Sequence, residues 1–203
     1  MSKHIKTKNM NLEIDNNDIE GSFDRIASEL MNEYVLKVED SDYRITEIEF
    51  YYKDGNHNDN YIHGHPLQTT KRKWYFHGSG IDLTFGSEGV YGGILLRAIY
   101  NLKTSEYIYG PIKIITEIFS NVQSVFETNI SFGLIRAENK FSELEKPIKA
   151  PRVGLNEKTN PNMYNELYRY LIMPKQKHAE KTRIDVAMEI QGFSEEERHN
   201  IWG

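Results

Sequence analysis

A short strand that carries two glutamates on one face constrains the fold of this chain more than any other stretch. Residues 45–52 read ITEIEFYY, and their polar and apolar side chains alternate as they do along a half-buried β-strand. The positions 48, 50 and 52 form an apolar face, whereas Glu47, Glu49 and Tyr51 form the other face. Two like charges on one strand face are unfavourable unless water solvates them or a cation or a substrate neutralises them. Taken alone, this strand favours the solvated outer face of an antiparallel sheet.

The composition is that of one folded domain. The 203 residues are 38% hydrophobic and 27% charged, which suits a globular protein with a core of its own. Because the chain has no cysteine, disulfides, thiolate metal sites and cysteine nucleophiles are excluded. The net charge of −5 argues mildly against a strong nucleic-acid binder. No apolar run is long enough to span a membrane and the first residues lack a signal-peptide pattern, so we expect a cytoplasmic protein without a membrane partner.

The order of the remaining patterns predicts an α+β domain with a mostly antiparallel sheet, formed by residues 1–203 as one unit. Strands are predicted at residues 34–38, 45–52, 81–85, 93–100 and 132–136. Helices are predicted after an N-cap at Ser22, from Pro111, over residues 163–171, over residues 182–192 and after Ser194. We further expect a frayed segment at residues 1–17, a loop at residues 146–161 with a short extended piece at residues 152–155, and a helical C-terminal extension at residues 175–203.

The polar loop between residues 53 and 73 is longer than a simple connection needs, and such loops are often functional. The loop and the residues just after it hold several potential metal ligands. These ligands are His57, Asp59, His63, His65, His77 and Asp82. Their spacing matches no strong metal signature, so we expect no bound metal and no cofactor.

Arg97 interrupts the otherwise apolar run from Gly93 to Tyr100, which is typical of a strand buried on both faces. An arginine at such a position must be paired. It could orient Glu49 and keep that carboxylate ionised, or it could be a structural ion pair that holds two strands together. The sequence leaves both interpretations open.

Several stretches resemble, in the same order, the alkyladenine (3-methyladenine) DNA glycosylases. The family has a helix before an E-T-E-A-Y strand, a later pocket histidine, a V-L-(L/I)-R-A strand, a G-P-x-K helix start and a P-R-I-G-I segment. The corresponding stretches here are FDRIASEL at 23–30, TEIEFY at 46–51, His63, SEGV at 87–90, ILLRA at 94–98, GPIK at 110–113 and APRVGL at 150–155. All of these stretches occur in the order of the family, which makes the series more specific than any single match.

The resemblance implies a single compact domain with a curved antiparallel sheet flanked by helices, like the barrel of the formyltransferase C-terminal domain. It also implies a hydrolase of base-excision DNA repair that flips an alkylated purine out of duplex DNA. In this resemblance Glu49 matches the general base that activates water, and Arg97 matches an arginine that supports that water. Tyr51 and His63 match the residues that sandwich the flipped base.

Two positions differ from the family pattern. Asp82 falls where the family has an asparagine that recognises the base, and a carboxylate that only accepts hydrogen bonds would favour an exocyclic amino group or a cationic ring N–H. Groups near His77 could add polar contacts to the base edge. The segment KRKWYFH at residues 71–77 replaces the family's DNA-inserting hairpin, and Tyr75 is the nearest match to the inserted tyrosine, with Trp74 and Phe76 as rivals.

Three functions therefore remain open from the sequence. The first is release of a damaged purine from DNA, and the second is hydrolysis or binding of a small nucleoside, nucleotide or modified base in the same fold. The third is a non-catalytic binding protein, which the pairing of Glu49 with Arg97 disfavours. The sequence does not give an oligomeric state.

Overall fold

One long strand, β2 (Ser41–Lys53), organises the sheet in the computed structural model, which describes residues 9–122, 125–126, 129–138 and 140–202. One edge of β2 pairs with β5 (Tyr91–Asn101), and its other edge pairs with β1 (Tyr34–Val38) and then with β9 (Arg169–Leu171). Every pairing between the described strands is antiparallel, and the sheet curls into a half-barrel. The predicted α+β class with a mostly antiparallel sheet in a single compact domain is confirmed.

The other elements complete this sheet and cover it. The remaining strands are β3 (Lys71–His77), β4 (Gly80–Phe85), β6 (Tyr107–Tyr109), β7 (Phe132–Arg136) and β8 (Ile148–Ala150). The main strand order is β3-β4-β5-β2-β1-β7, while β6 pairs with β5 and β8 pairs with β9. The helices are α1 (Ile19–Glu33), α2 (Pro111–Ser120), α3 (Pro161–Tyr164), α4 (Lys181–Ile190) and α5 (Glu195–Trp202), and a short 3₁₀ helix spans Pro66–Thr69. No helix within the described ranges is long and apolar enough to cross a membrane.

The main core lies between α1 and the apolar face of β2. Phe23 of α1 stacks on Phe50 of β2 with 4.3 Å between the ring centroids, and both side chains are fully buried. Ile48 and Tyr52 lie on the same strand face and belong to the same core. The side chains of Ile48, Phe50 and Tyr52 therefore face inward, as the alternation predicts, whereas register shifts against β5 interrupt the alternation between Ile45 and Ile48.

The N-terminal part of the chain differs from the prediction. Residues 1–8 lie outside the described residues, but Met10 and Leu12 are 5% and 3% exposed and pack in the main core, so the expected fraying is wrong for them. The cap of α1 is Asp18 rather than Ser22, because the Asp18 side chain accepts the backbone N–H of Gly21 at 2.9 Å. Met10 and Leu12 stand among polar residues in the sequence, so the pattern did not predict that they are buried. It also placed the start of α1 too late.

The region between residues 146 and 171 also differs from the prediction. The expected helix over 163–171 is wrong: helix α3 ends at Tyr164, and β9 follows. Residues 169–171 are extended because they pair with residues 47–49 of β2, which is a contact between distant parts of the chain. The predicted loop at 146–161 contains β8, which pairs with β9 for the same reason, whereas the residues 152–155 predicted as extended do not form a strand. In the predicted helical extension, α4 and α5 follow a non-helical segment over residues 172–180.

A fully buried ion pair fastens the long loop to the sheet. Arg152 donates through Nη1 to Asp59 Oδ2 at 2.5 Å and through Nη2 to Oδ1 at 3.2 Å, and neither residue is exposed. Its guanidinium carbon also lies 4.6 Å from the ring centroid of Tyr51 and 5.3 Å from that of Tyr61. Asp59 in turn accepts the backbone N–H of Tyr61 at 3.1 Å. The ion pair therefore joins the loop to residues 151–155.

We expect Asp59→Asn to lower the free energy of unfolding by about 3–5 kcal/mol, because it leaves the Arg152 charge buried without a counter-charge. Urea unfolding measures this loss. The double variant Asp59→Leu/Arg152→Met should lose clearly less free energy of unfolding than the sum of the losses in Asp59→Leu and in Arg152→Met, since no unpaired charge remains in the double variant. Additive losses would contradict this account of the ion pair.

Candidate active site

A row of side chains crosses four neighbouring strands on one face of the sheet. Tyr75 of β3 lies opposite Asp82 of β4, Asp82 lies opposite Leu95 of β5, and Leu95 lies opposite Glu49 of β2. Directly opposed residues in antiparallel strands project to the same face, so these four side chains share one surface. A cavity of about 280 Å³ lies on this surface. Its lining comprises Tyr51, Tyr61, Ile62, His63, Gln68, His77, Ser79, Asp82, Leu95, Arg97, Pro111, Val153, Gly154 and Leu155.

The residues singled out in the sequence lie together at this cavity. Five of them line it: Tyr51, His63, His77, Asp82 and Arg97. Glu49 is fully buried directly behind two of these lining residues, and it lies on the same side of the sheet as Arg97. Tyr75 lies at the edge of this group, where its ring stacks on His65 with 4.4 Å between the centroids.

Glu49 is held by four contacts from three directions. Its Oε1 accepts the backbone N–H of Val153 at 2.7 Å, and its Oε2 accepts the Tyr51 hydroxyl at 2.9 Å. Arg97 approaches both oxygens, with Nε 3.4 Å from Oε1 and Nη1 3.5 Å from Oε2. Burial, and after it the charge of Glu49, raises the pKa of Tyr51 well above its ordinary value, so this phenol stays a hydrogen-bond donor. Because the Arg97 contacts are long, the carboxylate oxygens keep capacity to accept further hydrogen bonds.

Glu47 is not solvated, so the outer-face interpretation of this strand is wrong. It is fully buried, and its Oε1 accepts Nε of Arg97 at 3.1 Å and Nε of Arg169 at 2.9 Å. Its Oε2 contacts Nδ1 of His178 at 2.5 Å. Burial raises the pKa of Glu47, but the His178 hydrogen bond and the charges of Arg169 and Arg97 outweigh it and lower the pKa below its ordinary value. Arg97, Arg169 and His178 therefore contact the two buried glutamates. Two glutamates on one strand face that are not exposed to water require such partners, as the sequence predicts.

Asp82 forms a second polar centre at the cavity. It is 3% exposed, its Oδ1 lies 3.1 Å from Nε2 of His77, and its Oδ2 accepts the Gln68 amide N–H at 3.1 Å. Nδ1 of His77 accepts the backbone N–H of Ser79 at 3.2 Å, so the proton of a neutral imidazole is on Nε2 and points at Asp82. No lysine or arginine among the described residues forms an ion pair with Asp82. The carboxylate is therefore a buried acceptor without a full positive counter-charge.

His63 contributes a ring to the same wall. Its ring meets the ring of His77 edge to face, with 4.5 Å between the centroids. Burial, and after it the nearby His77, lowers the pKa of His63 below its ordinary value. A neutral imidazole at this position can pack against a flat ligand.

The three aromatic residues of β3 lie on two different faces. Trp74 packs against Phe132 at 4.9 Å, and Phe76 lies 5.9 Å from the same ring, on the face away from the cavity. Tyr75 is the residue of the three on the cavity face, beside His77 at 4.8 Å. Trp74 or Phe76 could reach the cavity only if β3 rotated by about half a turn around its own axis.

The histidines that the structure describes are not grouped as metal ligands, although His63, His65 and His77 all lie around the Tyr75 ring. His57 packs between Tyr52 and Tyr168, and His65 caps the short 3₁₀ helix by accepting the backbone N–H of Leu67. Within residues 9–122, 125–126, 129–138 and 140–202, no three His, Asp or Glu side chains are grouped so that they could hold a metal ion. The expectation of no bound metal stays a prediction.

Three polar groups that the sequence reasoning did not select complete the site. Arg169 and His178 hold Glu47, and Gln68 holds Asp82. Arg169 lay in a region predicted as helix, and His178 stands among surface lysines of residues 175–181. No local pattern marks any of the three, since each acquires its partner only through folding.

Gly93 makes room for this second polar centre. A Cβ at residue 93 would lie 2.6 Å from Oδ2 of Asp82 and 3.1 Å from Nε2 of Gln68. Real Cβ atoms do not approach a carboxylate so closely, so the glycine allows Asp82 and Gln68 to sit against β5.

Comparison with known proteins gives one distant relative. No family model matches the chain. The sequence is 28% identical, over an alignment of 203 residues, to an uncharacterised protein of Acanthamoeba polyphaga mimivirus. The alignment covers 81% of this chain and 92% of the viral protein. The two chains are thus similar over most of their lengths, and the description of the viral protein names no activity.

We expect Gly93→Ala to lower the free energy of unfolding by about 1–3 kcal/mol, because the added methyl group overpacks a closed contact and displaces Asp82. Urea unfolding at neutral pH measures the change. Gly133→Ala is the matched control on β7, where an added Cβ meets no atom within 4 Å. Equal stability of the Gly93 and Gly133 variants would contradict the close approach.

Proposed function

We propose that this protein hydrolyses the N-glycosidic bond of a purine, with water activated by Glu49. The observation that carries the proposal is the buried Glu49 carboxylate, which Arg97, Tyr51 and the Val153 amide hold directly behind the wall of a cavity of about 280 Å³. The finer fold assignment, to the alkyladenine DNA glycosylases, belongs to the same proposal. It is supported by the ordered sequence matches and by the curled antiparallel sheet.

The reaction requires a base beside a developing positive charge. When the bond between the sugar and the purine nitrogen breaks, its electron pair leaves with the purine and positive charge grows on the sugar. The oxygen of water then bonds to the anomeric carbon, and Glu49 takes the proton that water releases. The negative carboxylate also stabilises the sugar's charge before the water adds. Arg97 keeps Glu49 oriented, and Tyr51 donates to its second oxygen.

The other end of the cavity suits the edge of a base. Asp82 and Glu49 lie two strands apart, which is about 10 Å along the sheet, with Leu95 as the floor between them. A purine over Leu95 can therefore direct one edge to Asp82 and its glycosidic bond toward Glu49. The rings of Tyr51 and His63 can pack on its faces, and aromatic faces attract a cationic alkylated purine.

The main candidate substrate is a damaged purine in duplex DNA, as in the family that the sequence resembles. A free nucleoside, nucleotide or modified base is the second candidate, and three observations favour it. The cavity volume of about 280 Å³ is at the small end of ligand pockets, and the chain carries a net charge of −5. In addition, Lys71 of the basic run beside Tyr75 is already paired with Glu13. A duplex binder usually offers an uninterrupted basic surface.

We expect Glu49→Gln to lower turnover by at least about a hundred- to ten-thousand-fold, because glutamine cannot accept the proton of water and carries no charge. The assay compares duplex DNA containing an alkylated adenine or hypoxanthine with free purine nucleosides and nucleotides. Glu88→Gln, in an exposed turn, is the matched control and should keep full activity. Glu47→Gln is not a neutral control, since it removes the charge that three buried cations share.

The substrate panel separates the candidate functions. Activity on DNA that is lost in Glu49→Gln supports the glycosylase, and activity on free nucleosides or nucleotides alone supports the second candidate. Wild-type activity that survives Glu49→Gln would refute the role of Glu49. Ligand binding without turnover in the wild type would support a binding protein instead.

We expect Asp82→Asn to weaken the preference for bases that present an amino group or a cationic N–H at their edge. The charged acceptor becomes an amide that both donates and accepts hydrogen bonds. The kcat/KM for a base with a carbonyl edge, such as hypoxanthine, should therefore rise relative to that for an adenine-type base. The ratio of kcat/KM for paired substrates with these two bases measures the change. An unaltered ratio would show that Asp82 does not read the base.

A further inference from the structure

The segment that joins β9 to α4, residues 172–180, binds the side of the site away from the cavity. His178 is 6% exposed although Lys177 before it is exposed. The backbone N–H of Ala179 donates to the Tyr109 hydroxyl at 2.8 Å, and the Ala179 carbonyl accepts Nη1 of Arg169 at 3.0 Å. The segment is therefore attached to both β6 and β9 through the backbone of Ala179.

Both ring nitrogens of His178 face oxygen atoms. Nδ1 lies 2.5 Å from Oε2 of Glu47, and Nε2 lies 3.1 Å from the carbonyl oxygen of Met173. A carbonyl only accepts hydrogen bonds, and so does the ionised carboxylate of Glu47. Both nitrogens must then carry protons, so this geometry describes an imidazolium. The charged groups around it are Glu47 of β2, Arg97 of β5 and Arg169 of β9, and the rings of Tyr107 and Tyr109 of β6 lie 6.0 and 6.4 Å away.

His178 determines which oxygen of Glu47 is left for the arginines. Because it occupies Oε2, Arg97 and Arg169 share Oε1. Nε of Arg97 thereby lies between the two glutamates, 3.1 Å from Glu47 and 3.4 Å from Glu49. Nη2 of Arg97 also approaches the Tyr109 hydroxyl at 3.5 Å, and Ala179 fixes that hydroxyl. Both supports of Arg97 away from Glu49 therefore depend on residues 178 and 179.

We infer that His178 is a positioning residue, which holds Glu47 so that Arg97 stays against the Glu49 carboxylate. Without His178, Oε2 of Glu47 is free, and Arg97 can move toward it and away from Glu49. The inference rests on the proposed function in one respect, namely that Glu49 and Arg97 are the reacting pair. His178 does not line the cavity, so its loss should affect the chemical step and not substrate binding.

The first measurement needs no substrate. In the full-length protein, the Nε–H signal of Arg97 is followed in ¹H–¹⁵N NMR spectra, together with its exchange with solvent. We expect His178→Ala to shift this signal and to accelerate its exchange, whereas His199→Ala, at an exposed residue of α5, should do neither. If His178→Ala does not fold, His178→Leu takes its place, since leucine fills much of the volume of the ring but has no N–H donor toward Glu47. An unchanged Arg97 signal in whichever variant folds overturns the inference.

The second measurement is kinetic and uses the substrate found active with the wild type. We expect His178→Ala to lower kcat about a hundredfold with KM unchanged, as for a misplaced reacting group, and His178→Gln to recover part of the loss. A raised KM with unchanged kcat overturns the inference. If Glu49→Gln proves fully active, the proposed function fails, while the NMR signal of Arg97 still decides whether His178 positions it.

Discussion

The structure depends on burying two carboxylates side by side on one strand. Glu47 and Glu49 are both fully buried, and isolated charges in such a place would cost far more than a domain of this size can offset. Arg97 makes the arrangement possible because its guanidinium lies against both carboxylates. The other cations, Arg169 and His178, come from residues more than 100 positions further along the chain. The charge balance of β2 is therefore completed only when the C-terminal part has folded onto it.

The same constraint explains the shape of the cavity. Arg97 and Asp82 are charged side chains at its wall, and they belong to two centres with different surroundings. Guanidinium and backbone groups hold Glu49, whereas the neutral donors of His77 and Gln68 hold Asp82. One end of the cavity thus combines a carboxylate with a strong cation, and the other end keeps a negative charge that only hydrogen bonds offset. A ligand that is flat, donor-rich along one edge and reactive at the other edge matches this polarity.

The long loop contributes to the site through a different kind of interaction. Asp59 and Arg152 form a closed ion pair surrounded by tyrosine rings, and this pair fastens together the two segments that carry the lining residues His63 and Val153. Loops carry functional groups best when a rigid scaffold fixes them. The buried pair supplies that rigidity here, since removing either partner leaves an uncompensated charge.

Local sequence determined much of this protein. The alternation in residues 45–52, the apolar run around Arg97 and the strand at residues 132–136 each gave the correct element, because side-chain periodicity is a property of neighbouring residues. The resemblance of the β2 and β5 stretches to the glycosylase motifs was needed to group Glu49 with Arg97, whose side chains are in contact. Only the tertiary structure decided that Glu47 is buried, that residues 169–171 form a strand and that His178 reaches Glu47. These features arise from contacts between residues that are far apart in sequence, and nothing in their immediate neighbours encodes such a pairing.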